Sequence, residues 1–336
     1  MNIKLLAVSI AATACGTNAF AAEIYNSEGS TLSIGGYVDV GIGEYEKGTA
    51  ASAQDVDVNQ VSPRINIAGT QDLGNGVVVD AKGEWALNYL DGGDTSFSTR
   101  LGYIGVTHEQ AGRMVVGTQW APYYDVAGVA DMPIAFANDF LYENHNLLGT
   151  GRAERMVSYR NAFDFSDDVS LGFGVGWQGD ESEKSADARG QAAVGLKFMG
   201  FGLGYTYSGG DLVVSGVKKN STSHVVAANY GSYGSGLYAA AVYGMNEYFY
   251  SGLEESIQLE GLLAFGLENG LNFSVNYEAV ENDKTNKTQY STSALQAEYT
   301  ITPSLVTFAG YEIDLGDDNP ATKDDDKWII GARYFL

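Results

Sequence analysis

Apolar and polar residues alternate along this chain in blocks of about ten. The clearest block sets Leu271, Phe273, Val275, Tyr277 and Ala279 against Asn272, Ser274, Asn276 and Glu278. Leu295, Ala297, Tyr299 and Ile301 alternate with Gln296, Glu298 and Thr300 in the same way. Ile257, Leu259, Leu263 and Phe265 repeat the rhythm, as do Leu32, Ile34, Val38 and Val40 near the start. A period of two sends successive side chains to opposite faces of a strand. No long stretch carries the 3.6-residue period of an amphipathic helix. The blocks predict sixteen strands, at 31–46, 60–72, 76–90, 98–108, 112–121, 152–161, 168–178, 188–198, 201–209, 222–231, 236–246, 254–267, 270–281, 291–301, 304–314 and 327–336.

In a soluble sandwich this alternation would bury the apolar face and wet the polar one. Three features favour the inverse, with the apolar face toward lipid. Aromatics cluster near strand ends (Tyr205, Tyr207, Tyr243, Tyr299, Tyr311, Trp328 and Tyr334), as an interfacial girdle requires. Charge is sparse on the apolar parity and dense in the connections. Short turns such as Leu73-Gly74-Asn75-Gly76, Met199-Gly200 and Glu268-Asn269-Gly270 are followed by long polar loops, the asymmetry of periplasmic turns and external loops. Past the first residues, nothing approaches the ~20 consecutive apolar residues of a spanning helix. A membrane-spanning chain of this kind must close its sheet to satisfy every backbone group in lipid. The expected fold class is an all-β transmembrane antiparallel β-barrel, its even strand number placing both termini in the periplasm.

Residues 1–21 read as an export signal: Lys4 is the positive region, Leu5 to Ala14 the apolar one, and Ala19-Phe20-Ala21 the cleavage site. The barrel is then residues 22–336. Cys15, the one cysteine, leaves with the signal. Thr13-Ala14-Cys15-Gly16 resembles a lipoprotein acceptor, but Ala12 stands where a bulky aliphatic residue belongs. Loss of Cys15 removes any disulfide framework or thiolate metal site.

The formal net charge of −23 excludes nucleic acid as a partner, because phosphates call for a basic surface. Acidic runs at Asp317-Asp318 and Asp324-Asp325-Asp326 would concentrate cations at a channel mouth, bridge divalent ions to lipopolysaccharide, or simply be solvated. No cofactor or metal is expected. Gly174-Val175-Gly176-Trp177-Gln178-Gly179 matches a dinucleotide pattern, but it lies in an alternating strand with no helix after it. His108, His145 and His224 have no metal-ligand spacing.

One connection is out of scale. Residues 121–151 lack alternation and mix aromatics, acids and Pro133; a loop of that length is usually functional, and its apolar content argues for packing. Charged residues on otherwise alternating strands, such as Arg64 and Arg100, should face a lumen, since Arg on the lipid face costs roughly 2–4 kcal/mol at mid-bilayer.

Ala22-Glu23-Ile24-Tyr25-Asn26 resembles the opening of the enterobacterial general porins, and Tyr124-Asp125-Val126-Ala127-Gly128, through Asp131-Met132-Pro133 to Phe140, resembles their third loop. The resemblance is motif-specific also from Pro63 to Gly69 and from Thr99 to Asn161. It implies a sixteen-stranded trimeric porin whose third loop, here 121–151, folds inward as a constriction. Acids of that loop, matched by Asp131 and Asp139, would face arginines matched by Arg64, Arg100 and Arg152. Tyr124 and Asp125 belong to the same constriction. Ala135 stands where the family has a loop glutamate, Tyr37 where it has a basic residue, and Leu336 where it ends in an aromatic.

The function so implied is passive diffusion of ions and small hydrophilic solutes. A modest cation preference is expected from the acidic loops and from Tyr37 lowering the basic count. A solute-specific oligosaccharide channel is the alternative, with Tyr37, Trp120, Tyr123 and Tyr124 as a sugar track. An adhesin or structural barrel is a third reading, and no catalytic site is expected. Partners would be the solutes, two further copies of the chain, lipopolysaccharide and outer-membrane lipid; the external loop around Asp91 to Ser96 is short for a trimer latch. Sequencing the N-terminus of protein purified from membranes should read Ala22-Glu23-Ile24; a lipidated Cys15 at the start would refute the export reading.

Overall fold

The computed structural model describes residues 21–45, 56–90, 97–138, 140, 145–180, 186–250, 252–316 and 326–336. Asp139, the export signal up to Phe20, the Asp91–Ser96 segment and the acidic run except Asp326 lie outside these residues.

The barrel strands are β1 (Ser30–Glu44), β2 (Arg64–Gly74), β3 (Val77–Leu87), β4 (Phe97–His108), β5 (Gly112–Trp120), β6 (Arg152–Ser166), β7 (Val169–Gln178) and β8 (Ala186–Phe198). They continue with β9 (Phe201–Val214), β10 (Val217–Ser232), β11 (Ser235–Glu247), β12 (Glu255–Gly266), β13 (Leu271–Asn282), β14 (Lys287–Thr302), β15 (Leu305–Asp314) and β16 (Lys327–Phe335). Each pairs antiparallel with its sequence neighbour, and β16 returns to β1 in a register running from Trp328 opposite Glu44 to Phe335 opposite Tyr37. All sixteen predicted strands are present.

Two short strands lay outside the sequence reading. Ala22–Ser27 pairs with the lower half of β1, Ala22 opposite Ile34. The amide of Leu336 donates to the carbonyl of Gly36, 3.0 Å away, so Ala22–Ser27 continues the line of β16. The last stave is thus built from both ends of the chain, and it covers the edge of β1 that β16 is too short to reach. Asp57–Asn59 pairs with the outer end of β1.

Turns follow their residues. Asn75 (φ +55°) and Gly76 (φ +75°) join β2 to β3; two positive φ values match the right-handed twist of the flanking strands, and Asn and Gly tolerate them best. The long-loop expectation fails at two external connections. β9 and β10 run on past 209 and 222 to a two-residue turn at Ser215-Gly216, and β13 and β14 meet through Asp283–Asn286. The polar residues there pair as a hairpin instead of leaving the sheet.

The exposure pattern is inverted. Gln258, Glu260 and Glu278 are buried, whereas Leu263, Leu295 and Ile330 are exposed at 51%, 58% and 62%. Polar side chains therefore line the interior and apolar ones coat the outside, the arrangement of a lipid-embedded barrel. Ile104 on β4 is 60% exposed. Ile104→Arg should lower stability by roughly 2–4 kcal/mol in lipid-bilayer unfolding assays; a neutral substitution would mean that this face does not meet lipid.

Candidate functional site

The connection from β5 to β6 folds into the barrel. Its base is closed by the Ala121 amide donating to the Gly151 carbonyl at 2.8 Å. A helical turn, α1 (Tyr124–Ala127), and the 3₁₀ turn Gly128–Ala130 follow. Tyr123, Tyr124, Val126, Ala127 and Ala130 are buried against Val225, Val242, Leu262 and five alanines of the barrel strands. The Tyr123 hydroxyl lies 2.8 Å from Ser223 Oγ, and the Tyr238 hydroxyl donates to the Val129 carbonyl at 2.7 Å.

Farther on, the Ile134 amide donates to Glu298 Oε1 (2.7 Å) and the Phe136 amide to Gln296 Oε1 (3.0 Å), while Asn138 reaches the carbonyls of Gly261 and Tyr277. These anchors lie on β8 to β14, and Phe136 also packs with Phe308 and Ile329 of β15 and β16. On its return, the loop receives the Ser208 hydroxyl at the Leu148 carbonyl and the Gln191 amide at the Gly149 carbonyl. The loop is thus a lining, wired to one side of the lumen.

The remaining wall is charged. Lys82 Nζ, Arg100 Nε and Arg64 Nη1 lie 3.0, 3.1 and 3.8 Å from the Glu84 carboxylate. Three cations around one carboxylate leave a net positive patch. Register explains how Arg100 arrives there: Glu84 opposes Leu101 and Trp85 opposes Thr99, so Arg100 is the extra residue of a bulge, and a bulge re-aims a side chain. Next to this group, the guanidinium carbons of Arg64 and Arg333 lie 4.7 and 3.9 Å from the Tyr37 ring centroid. Arg333 Nη2 donates to Asp39 Oδ2 at 2.8 Å, and Asp39 Oδ1 accepts from the Val61 amide at 2.9 Å. Toward the periplasmic end, Arg113 grips Asp80, with Nη2 to Oδ2 at 2.8 Å.

The structure therefore gathers Arg64, Arg100 and Tyr37 and adds Lys82, Glu84, Arg333 and Asp39. Those four were overlooked, yet each stands on the polar parity of its strand, the criterion that singled out Arg64. Their presence corrects one premise: Tyr37 does not leave this wall poor in basic residues, because Arg333 lies against it and Lys82 joins Arg64 and Arg100 at Glu84. Arg152 Nη2 lies 3.1 Å from His145 Nε2 at the loop's return. Arg155, in a positive-φ conformation, donates to the Asp180 carbonyl at the outer rim.

On the loop, the Tyr124 hydroxyl donates to Asp131 Oδ2 at 2.7 Å, and Arg160 holds Asp125 with Nε to Oδ2 at 2.6 Å. Of the candidate aromatic track, Tyr123 is fully buried, Tyr124 packs at a tilt against Trp120, and Tyr37 lies against guanidiniums. Among the described residues, no group of three or more His, Cys, Asp or Glu is placed to hold a metal.

Burial pushes the Asp125 carboxyl above its ordinary value, and Arg160 pulls it back down. Removing Arg160 strands a buried carboxylate, which costs about 3–5 kcal/mol. With its pKa raised, Asp125 binds its proton more tightly in the folded state. Stability of Arg160→Ala should therefore fall as pH rises from the ordinary carboxylate value through the raised one. Unfolding midpoints between pH 3 and 8 check this: Asp125→Asn added to Arg160→Ala should flatten the profile, and an unchanged slope would refute the assignment.

A family model described as Gram-negative porin matches residues 7–336. Outer membrane porin F of Xenorhabdus nematophila is 29% identical over 226 residues, spanning 66% of this chain and 59% of that protein's length. Porin-like protein L of Photobacterium profundum is 25% identical over 99% of both chains. Among solved structures, a Salmonella typhi OmpF complex with daunomycin superposes with a TM-score of 0.75 at 19% identity, covering 94% of this chain and all of that one.

Proposed function

The chain belongs to the Gram-negative porin family and resides in the outer membrane, and on that footing we propose that it is a homotrimeric, water-filled channel for passive diffusion of ions and small hydrophilic solutes. The observation that carries this reading is the one-sided seating of the loop. Sixteen strands enclose a lumen too wide for side chains alone to fill, and the loop covers the inner faces of about half of them. Among the described residues, the loop anchors named above do not include Arg64, Lys82, Glu84 or Arg100.

Cations on the charged wall and acids on the loop, Asp131 among the described ones, set a field across the gap. Water orients along such a field, so polar solutes keep their hydration while apolar ones lose favourable contacts. Arg152 and Asp125 act at the loop's own anchorage. A modest cation preference is expected from the overall charge of −23, with Glu260 and Glu278 adding acid along the inner wall. Lipopolysaccharide and lipid would surround the outer face, where Tyr243, Tyr299 and Tyr334 are exposed.

The deciding experiment is single-channel recording of refolded protein across a salt gradient. Ohmic opening that closes in three equal steps, with a reversal potential favouring cations, is expected. Arg64→Ala with Arg100→Ala should shift that potential further toward cations. Folded protein that never conducts would favour an adhesin or structural barrel, and an unshifted potential would remove the field from the account.

A further inference from the structure

The loop does not rest on the barrel wall at arbitrary points. Its apolar side chains sit over glycines, at places where an added β-carbon would crowd them or, at Gly204 and Gly310, collide with them. On β7, a Cβ at Gly174 would lie 3.0 Å from Pro122 Cβ, and one at Gly176 would lie 3.3 Å from Pro122 Cδ. On β9, a Cβ at Gly204 would come within 2.7 Å of Val126 Cγ1 and 3.0 Å of Cγ2. On β15, a Cβ at Gly310 would come within 2.8 Å of Phe136 Cδ2. Carbon atoms prefer separations of about 3.5–4.0 Å.

We propose that Gly174, Gly176, Gly204 and Gly310 are sockets that set how far the loop stands into the lumen, and so determine the aperture of the channel. This rests on the channel reading above. It also gives a role to the pair Gly174-Val175-Gly176, whose dinucleotide-like spacing had none: both glycines face inward beneath Pro122.

The geometry decides which side must yield at Gly204. The wall is a ladder of hydrogen-bonded strands, with Gly204 paired to Gly195 and Ala227. Val126 is β-branched and stiff about χ1, and it is buried within the tightest contact. A methyl group at Gly204 therefore displaces the turn Tyr124–Ala127 away from the wall by on the order of 1 Å. That turn carries Tyr124, bonded to Asp131, and Asp125, bonded to Arg160. Displacement away from the wall is displacement into the lumen.

Gly195 supplies the control. It pairs with Gly204 on the same inner face, but a Cβ there would meet nothing within 4 Å. Single-channel conductance should be compared among wild type, Gly195→Ala, Gly204→Ala and the double variant Gly204→Ala with Val126→Ala, with folding verified by heat-modifiable migration. We expect Gly195→Ala to match wild type, Gly204→Ala to lose conductance, and the double variant to regain it. A folded Gly204→Ala that conducts like wild type overturns the proposal, as does a loss that Val126→Ala fails to restore. Should Gly204→Ala not fold, Gly310→Ala with and without Phe136→Ala applies the same test. Folded wild type without conductance would sink the channel reading itself, whereas a conducting wild type indifferent to these changes sinks only the sockets.

Discussion

In hydrocarbon no water is available to a backbone N–H or C=O, and each group left alone costs several kcal/mol. Most features of this barrel descend from that constraint. The sheet must close, so β16 pairs with β1. Because β16 stops at Phe335 while β1 continues down to Ser30, the exposed stretch of β1 needs another partner, and Ala22–Ser27 provides it. Closure also fixes the solvent on each face. Once the outside is lipid, the alternation of each strand must turn its polar side inward, and the interior becomes wet because sixteen strands leave it wide.

A wide wet barrel has no central core, and the inward loop supplies a substitute. Fixing backbone costs about 1–2 kcal/mol per residue. Burial of a Val- or Leu-sized side chain stabilises by about 1.5–3 kcal/mol, and a net hydrogen bond by about 0.5–1.5. A long loop therefore stays seated only if nearly every residue has an anchor. From Ala121 to Asn138 that condition is close to met: Ala121, Tyr123, Tyr124, Val126, Ala127, Ala130, Ala135 and Phe136 are buried, while Asp125, Val129, Ile134 and Asn138 are hydrogen-bonded. The described anchors sit mainly on β8 to β16, with Tyr45 beyond β1 reaching the Ala135 carbonyl.

How much of this was legible depends on the range of the interaction. Period-two alternation is local, and it located all sixteen strands, because a lipid-facing parity cannot be broken cheaply. Ala22–Ser27 escaped because its pairing is decided by where the distant C-terminus stops. Lumen residues were legible by parity and illegible by neighbourhood. Arg64 and Arg100 could be read as inward, but their meeting at Glu84 depends on a bulge that only cross-strand register reveals. Around Arg152, the register shift between Gly117 and Gln119 and the left-handed Arg155 interrupt the simple alternation, so local parity does not read its side.

The charged wall bears on stability and function in opposite senses. Replacing a buried ion pair by well-packed apolar groups is often neutral or stabilising, so Arg333 and Asp39, whose side chains are 5% and 0% exposed, are a poor device for stability alone. Asp39 has a second task, however. Its carboxylate also takes the amide of Val61, and its backbone meets the Tyr89 hydroxyl, so it ties the outer connections to β1 just above Tyr37. Arg333 neutralises that buried carboxylate while lying against Tyr37, which in turn lies against Arg64. Arg64 is thus held between Glu84 and the Tyr37 ring, and Arg113–Asp80 forms a separate ion pair elsewhere on the inner wall. Under the proposed channel reading, a field across water would require charges that attract one another to be kept apart, a separation that the hydrogen-bonded sheet and the anchored loop would maintain.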